Sequence, residues 1–239
     1  ATGRPHTRPP GTALRVLSMS LGRDCIIVPF SGGLDSTGIL VDALAHAQQV
    51  VALAIKLQTR LGRADVEFVC REDVLTHLSI RHPQLTIHRM AIDVREFTDF
   101  EDSAFWLYMT GVLLRQFAHL DVGIAWGMNE VGHERYATNG WANGAYMPRS
   151  VAKISAGFGA DASRFVIDPP PHLTMTKVQV AEMIGSTLLD KTWSCRHPDY
   201  RDGIIEPCRK CHACRRRREL GIPHRTVEVA HVLRARNFA

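Results

Sequence analysis

Apolar residues in this chain gather in short unbroken runs, and amphipathic stretches separate them. Cys25-Ile26-Ile27-Val28-Pro29-Phe30 is one such run, and a glycine-bearing turn follows it. A run of this kind predicts a parallel strand buried on both faces. From Ser36 to about Ala47 the spacing becomes helical, with Ile39, Leu40, Ala43 and Leu44 on one face. The alternation repeats, with a strand at 50–57, a helix at 66–81 stopped by His82-Pro83, and a strand at 85–94. A long helix at 102–120, a strand at 122–126 and a short strand at 165–168 follow. Strand and helix alternating at this rhythm predict an α/β fold with a doubly wound, mostly parallel sheet. A further strand is expected at 14–19 and a further helix at 176–186. Residues 128–165 are rich in Gly, Asn and Tyr with weak periodicity, the texture of a long functional loop, with a helical piece at 151–156. Pro169-Pro170-Pro171 forces an extended connector.

Composition changes this picture little. The 239 residues are 45% hydrophobic and 22% charged, which excludes disordered and low-complexity classes. No apolar stretch is long enough to span a membrane. The Pro/Arg-rich opening lacks the core of a signal peptide and an initiator Met, so a processed or trimmed end in a reducing cytoplasm is expected. Charge is informative by position. The net charge is +5, yet residues 208–239 carry nine Lys/Arg against two Asp/Glu, and the remainder carries twenty against twenty-two. The basic tail reads either as a solvated helix or as a surface for phosphate-rich partners.

The turn after the first strand holds the first candidate chemistry. Phe30-Ser31-Gly32-Gly33-Leu34-Asp35-Ser36-Thr37 lies between a buried strand and a helix. Adjacent glycines let backbone N–H groups converge on an anion, and the helix N-terminus adds partial positive charge. Ser31, Ser36 and Thr37 add hydroxyl donors. Asp35 would repel phosphate directly, so it reads as a Mg²⁺ ligand or as a helix-capping group. The turn lacks both the spacing of the dinucleotide fingerprint and the lysine of the Walker loop.

The second candidate is a cysteine cluster. Four of six cysteines, Cys195, Cys208, Cys211 and Cys214, fall within twenty residues. Four thiolates suit a tetrahedral Zn²⁺, and a closed four-sulfur shell makes that zinc structural. An iron–sulfur cluster is the rival. His197 and His212 lie close enough in sequence to substitute. Cys25 and Cys70 read as ordinary buried cysteines.

Ser-Gly-Gly-x-Asp-Ser in a strand–turn–helix setting resembles the pyrophosphate loop (PP-loop) of the ATP pyrophosphatases. Together with Thr192-Trp193-Ser194-Cys195, the trio Cys208, Cys211, Cys214 and the following Arg215, it resembles the QueC family of 7-cyano-7-deazaguanine synthases. Gly127-Met128-Asn129 is similar to a mid-domain segment of that family, and Pro171-His172-Leu173 with Lys177 to its proline loop and helix-start lysine. The resemblance runs from about Ile26 to Leu220. It implies an N-terminal lead-in at 1–23, a PP-loop ATP pyrophosphatase domain at 24–190 of the adenine nucleotide alpha hydrolase type, and a zinc module with a basic helix at 191–239. It implies ATP binding at 30–37, catalytic roles for Asp35 and Lys177, a substrate contact at Asn129, structural Zn²⁺, and Mg²⁺ with ATP.

The implied reaction is an ATP-dependent ligation. A 7-deazaguanine carboxylate becomes an adenylate with release of pyrophosphate, ammonia displaces AMP to give an amide, and a second activation gives a nitrile. A cytoplasmic enzyme, commonly a homodimer, is implied. The sequence departs from the family at Leu57-Gln58-Thr59-Arg60, around Ser103–Trp106, and at Glu130–Tyr136, all on the substrate side. That leaves room for a protein or tRNA acceptor, as in QueC-like proteins of phage defence. A reading from another class is non-catalytic nucleotide or RNA binding. Among other residues, Trp126 and Trp193 read as packing, Trp141 and Tyr146 as packing or stacking partners, and His46 and His119 as helix-end partners. Arg215–Arg218 reads as a solvated helix face or a partner contact. Lys177 is disfavoured at a helix start by the dipole, which favours a phosphate contact.

Overall fold

The computed structural model describes residues 23–96, 102–117, 119–125, 165–168 and 175–236. The expected elements at 14–19 and 151–156, the lead-in, Trp126, Asn129, Trp141, Tyr146 and Pro169–Leu173 lie outside these residues.

Five parallel strands form the main sheet in the order β3-β2-β1-β4-β5: β1 (Cys25–Pro29), β2 (Gln49–Gln58), β3 (Leu85–Asp93), β4 (Val122–Ala125) and β5 (Phe165–Asp168). The chain steps outward from β1 through α1 (Leu34–His46) and α2 (Ala64–Ser79), then returns through α3 (Asp102–Leu114) to the other side of β1. The order therefore reverses between β1 and β4. Ligands of open α/β sheets bind at such a switch point, outside the carboxyl ends of the strands. The α/β reading of the sequence holds, and each expected strand that falls within the described residues is present.

Burial on both faces explains the unbroken apolar runs. Ile26, Val28 and Phe30 pack with α1, α2 and α4 (Lys177–Leu189), whereas Cys25 and Ile27 face α3 through Trp106, Met109 and Leu113. β2 runs five residues beyond the register it shares with β1, so its end stands out over the switch point. The third helix ends at Leu114 rather than near 120. A 3₁₀ turn over Arg115–Phe117 follows it directly.

After α4 the chain builds a second layer that the sequence reading missed. A three-stranded antiparallel sheet, β6 (Asp199–Arg201), β7 (Ile204–Glu206) and β8 (Val227–Glu228), is joined by α5 (His212–Glu219) and α6 (Val229–Arg236). Its hairpin turns through Asp202-Gly203, both at positive φ, between the paired residues Arg201 and Ile204. Asp-Gly is the favoured pair for such a two-residue turn, so the signal was present in the sequence. The cysteine segment packs on the outer face of α2, with Val66, Val69 and Cys70 against Trp193, Cys195, Ile205 and Cys214. Among the described residues, no helix is long and apolar enough to cross a membrane.

Helices α1 and α4 approach very closely. A Cβ on Gly38 would stand 2.7 Å from Val180 Cγ1. Replacing Gly38 by alanine improves helix propensity but overpacks this contact. Gly38→Ala is therefore expected to lower the unfolding free energy by about 1–3 kcal/mol. Adding Val180→Ala should cost less than the sum of the two single changes. Urea titration of the four proteins of that cycle measures both effects.

Candidate active site and metal centre

The glycine turn sits at the mouth of β1, and β2 fixes it from one side, since Phe30 N–H donates to the Leu53 carbonyl at 2.8 Å. Gly32 has φ +79° and touches α2 directly. A Cβ there would lie 2.9 Å from Arg71 Cα, so only glycine fits. Arg71 is buried, and its Nη1 donates to the Ile55 carbonyl at 2.5 Å. Burial pulls its pKa down to about 10, still far above neutrality.

Helix α1 begins at Leu34, two residues earlier than its periodicity suggests, with Gly33 as N-cap and no side-chain cap. The first-turn N–H groups have no intrahelical acceptor, and that end of the helix suits an anion. Asp35 is therefore not the capping group. Thr37 is fully buried, and its hydroxyl donates to the Gly33 carbonyl at 2.8 Å. Ser36 donates to the same carbonyl at 3.1 Å and lies 3.1 Å from the Ser31 hydroxyl. Of the expected hydroxyl donors, Ser31 is the exposed one, while Thr37 braces the turn from within. Phe30 and Leu34 send their side chains into the core and can offer a ligand only backbone.

Asp35 and Lys177, 142 positions apart, meet here. Lys177 Nζ donates to Asp35 Oδ2 at 2.7 Å. The pair lies one turn before the Gly38–Val180 contact on both helices, so α1 and α4 begin side by side and run the same way. The two N-termini differ. Thr176 caps α4 in a complete capping box, accepting from Gln179 N–H at 3.3 Å while its own N–H donates to Gln179 Oε1 at 2.8 Å. The end of α4 is thus self-satisfied and that of α1 is open. The Asp35 carboxylate answers the awkward placement of a cation at a helix start. The other carboxylate oxygen, Asp35 Oδ1, is shielded from solvent and has no hydrogen-bond partner among the described residues. An orphaned oxygen beside an open helix end fits a cation such as Mg²⁺ arriving with a phosphorylated ligand.

The cysteines also converge. The Cys195, Cys208, Cys211 and Cys214 sulfurs all lie within 4.8 Å of one another, and no disulfide joins them. Cys208 N–H points to Cys195 Sγ at 3.2 Å and Cys211 N–H to Cys208 Sγ at 3.3 Å. Backbone donors on sulfur are what thiolate ligands need. Sulfurs this close fit one tetrahedral ion, whereas a four-iron cube would spread them over four separate metals. Neither His197 nor His212 belongs to the group. Burial pushes Cys195 up to about 11. Burial works to raise the Cys208 thiol as well, but hydrogen bonds from the Cys211 and Lys210 N–H groups and from neighbouring cysteines together outweigh it and bring it down to about 7.

Two features were missed in the sequence. Arg217 is not part of a solvated face. It is buried among Thr192, Ser194 and Pro223, while Arg215 and Arg218 are exposed. Nothing in an unbroken arginine run marks its third member for the interior. Second, a cavity of about 650 Å³ opens at the end of β2, lined by Lys56, Gln58, Thr59, Asp65, Arg95 and Tyr200. Lys56 is buried, paired with Asp65 at 3.1 Å, and lies over the Phe68 ring. Tyr200, from the second sheet, donates to the Gly62 carbonyl at 2.7 Å. A lysine inside an otherwise apolar strand was the available signal.

This fold, with its glycine turn at the switch point, defines an α/β protein of the PP-loop type. Residues 25–104 match the family model described as queuosine biosynthesis protein QueC. Over 206 residues the chain is 24% identical to a 7-cyano-7-deazaguanine synthase 2 of Rhodopseudomonas palustris (strain HaA2), covering 82% of this chain and 95% of that relative. The chain is thus similar to QueC proteins, and at this identity it is divergent from them.

Burial raises Cys25 to about 11, with the Asp24 charge adding to it, and raises Cys70 to about 12. Both thiols are therefore inert near neutral pH. Zinc-loaded protein is expected to show no thiol reactive toward Ellman's reagent. A strong chelator should release the other four cysteines of the six, with Cys25 and Cys70 silent until denaturant is added. Six reactive thiols in the folded, loaded protein would contradict this arrangement.

Proposed function

We propose that the protein is an ATP-dependent ligase that adenylates a carboxylate, resembling the conversion of 7-carboxy-7-deazaguanine to 7-cyano-7-deazaguanine with ammonia. The observation that carries this reading is the uncapped glycine turn with Asp35 held by Lys177, one carboxylate oxygen left without a partner among the described residues. The name of the bacterial relative supports the product class.

A carboxylate is a poor electrophile until one of its oxygens becomes part of a good leaving group. Its oxygen attacks the α-phosphorus of ATP, and the bond to the β-phosphate breaks. The turn meets the departing pyrophosphate with backbone N–H groups fixed before the reaction, so little reorganisation is needed. Lys177 holds the Asp35 side chain in place and sets positive charge beside the same phosphates. Mg²⁺, held by Asp35, would supply further neutralisation of the leaving charge. Ammonia then attacks the acyl carbon and AMP leaves, giving the amide. Activation of the amide oxygen by a second ATP, with loss of AMP and protons, gives the nitrile. No nucleophilic side chain is needed.

The acceptor would enter at the cavity beneath the end of β2. Lys56, Gln58, Thr59 and Tyr200 there offer donors and a flat ring to a polar heterocycle. This lining includes Gln58 and Thr59 of the Leu57–Arg60 departure from the family pattern, so the acceptor is where this chain would differ from its relatives. Cys195, Cys208, Cys211 and Cys214 would hold Zn²⁺ as a structural ion.

Asp35→Ala should lower pyrophosphate release by about 100-fold or more while leaving the fold intact. Lys177→Met should lower it less, because the carboxylate remains. Release is followed by a coupled phosphate assay, and the base is followed by mass spectrometry with 7-carboxy-7-deazaguanine, ATP and ammonia. An amide or nitrile product supports the ligase. Pyrophosphate release without consumption of the base moves the acceptor to a protein or RNA, and undiminished release by Asp35→Ala removes the adenylation reading.

A further inference from the structure

We propose that Arg217 is a positioning residue for the glycine turn, and that through it metal occupancy at the four cysteines is coupled to nucleotide affinity. This rests on the nucleotide reading of the turn given above.

Four consecutive residues carry the connection. Thr192 and Ser194 present hydroxyls to Arg217 Nη1, at 3.1 and 3.4 Å. Trp193, between them, donates its N–H to the Gly32 carbonyl at 3.2 Å, and Cys195, next in line, is one of the four clustered cysteines. The guanidinium is anchored on its far side by the Pro223 carbonyl, which accepts from Nε at 3.0 Å and from Nη2 at 2.6 Å. Arg217 itself rides on α5, whose N-cap is Cys211 and which contains Cys214. Both ends of the strap therefore attach to cysteines of the metal centre, and its middle grips the turn.

That grip acts on one peptide plane. A peptide unit is flat and trans, so its carbonyl and N–H point in opposite directions. Pinning the Gly32 carbonyl against Trp193 turns the Gly33 N–H away, to the side where it meets Ser31 Oγ at 3.5 Å. This is the exposed side of the turn, where a phosphate would accept it. The Trp193 carbonyl also closes in from behind, 3.4 Å from where a Cβ on Gly33 would sit. A Gly-Gly peptide rotates readily when unsupported. Slackening the strap would let the plane turn and remove a donor from the anion site, though no group touching the nucleotide has changed. Binding linkage is reciprocal, so nucleotide must raise the affinity for metal by the factor by which metal raises the affinity for nucleotide.

The test uses the full chain loaded with zinc. Thr192→Val/Ser194→Ala removes both hydroxyls from Arg217 and no cysteine. Arg217→Lys, whose single ammonium cannot span Pro223 and Thr192, is the companion. Metal content is measured by mass spectrometry, ATP affinity by calorimetry with Mg²⁺, and zinc affinity by competition with a chelator, with and without ATP. Zinc taken by free ATP is common to all proteins and cancels. In the wild type, ATP should strengthen zinc retention by about fivefold or more. Thr192→Val/Ser194→Ala should keep one zinc per chain, bind ATP weaker by a similar factor, and lose the effect of ATP on zinc. A purely structural role would not produce that reciprocal loss. The proposal is overturned by a zinc-loaded double variant that binds ATP like the wild type, or by a wild type whose zinc retention ignores bound ATP. If Arg217→Lys fails to fold, the double variant still decides. A folded, zinc-loaded wild type that binds no ATP overturns the nucleotide reading itself, and the coupling with it.

Discussion

The approach of α4 to α1 at Gly38 is the contact on which the site depends. With no side chain at 38, a Val180 methyl occupies the space, and the two helices start level with each other. Lys177 then reaches Asp35 across that start. Had α4 stood off by the width of a side chain, the ammonium could not meet the carboxylate, and the lysine would oppose its own helix dipole without compensation. One absent Cβ thus converts a layer of packed helices into a charged pair facing the ends of the strands. Packing sets the distance, and electrostatics acts within it.

Much of this arrangement was legible in the sequence, for identifiable reasons. Continuous apolar runs marked β1, β2 and β4 because both faces of the sheet are covered, and the glycine turn stood out because its residues are unusual together. The four cysteines could be grouped by spacing alone. What could not be read were relations between distant segments. Arg217 looks like its exposed neighbours until Thr192 and Ser194, about 25 positions earlier, are placed beside it. The pairing of Lys177 with Asp35 likewise depends on how α4 lands, which no local pattern encodes. The second sheet escaped because strands of two or three residues have almost no periodicity, and Asp202-Gly203 was the one mark of its hairpin. The early start of α1 has a related cause. A helix start without a polar cap shows no N-terminal signature, because that end is left open.

The cysteine module also changes how the turn should be seen. A strand-to-helix glycine turn is commonly held by its own strand and helix. Here two outside surfaces hold it as well, Arg71 of α2 against Gly32 and Trp193 on the Gly32 carbonyl. The Trp193 indole N–H donates to the Cys195 carbonyl at 3.1 Å, so even the residue that does the holding is held. Arg225 adds a tie at the rim, bonding the Lys191 carbonyl at 2.9 Å and pairing with Asp73 of α2. Burying Arg217 lowers its pKa, yet a guanidinium remains charged under any ordinary condition. It can therefore serve as a permanent multidentate link where a lysine could not.

The order of these contacts along the chain has a consequence for biosynthesis. The turn at 31–37 leaves the ribosome early, but Lys177, Trp193 and Arg217 follow more than a hundred residues later. A nascent chain can assemble β1, α1 and β2 and still carry an unbraced turn, because the Gly32–Gly33 peptide has no Trp193 behind it. On the proposed nucleotide reading, capture would wait until translation has passed Arg217, and fragments released before that point would be inert even where their sheet has formed.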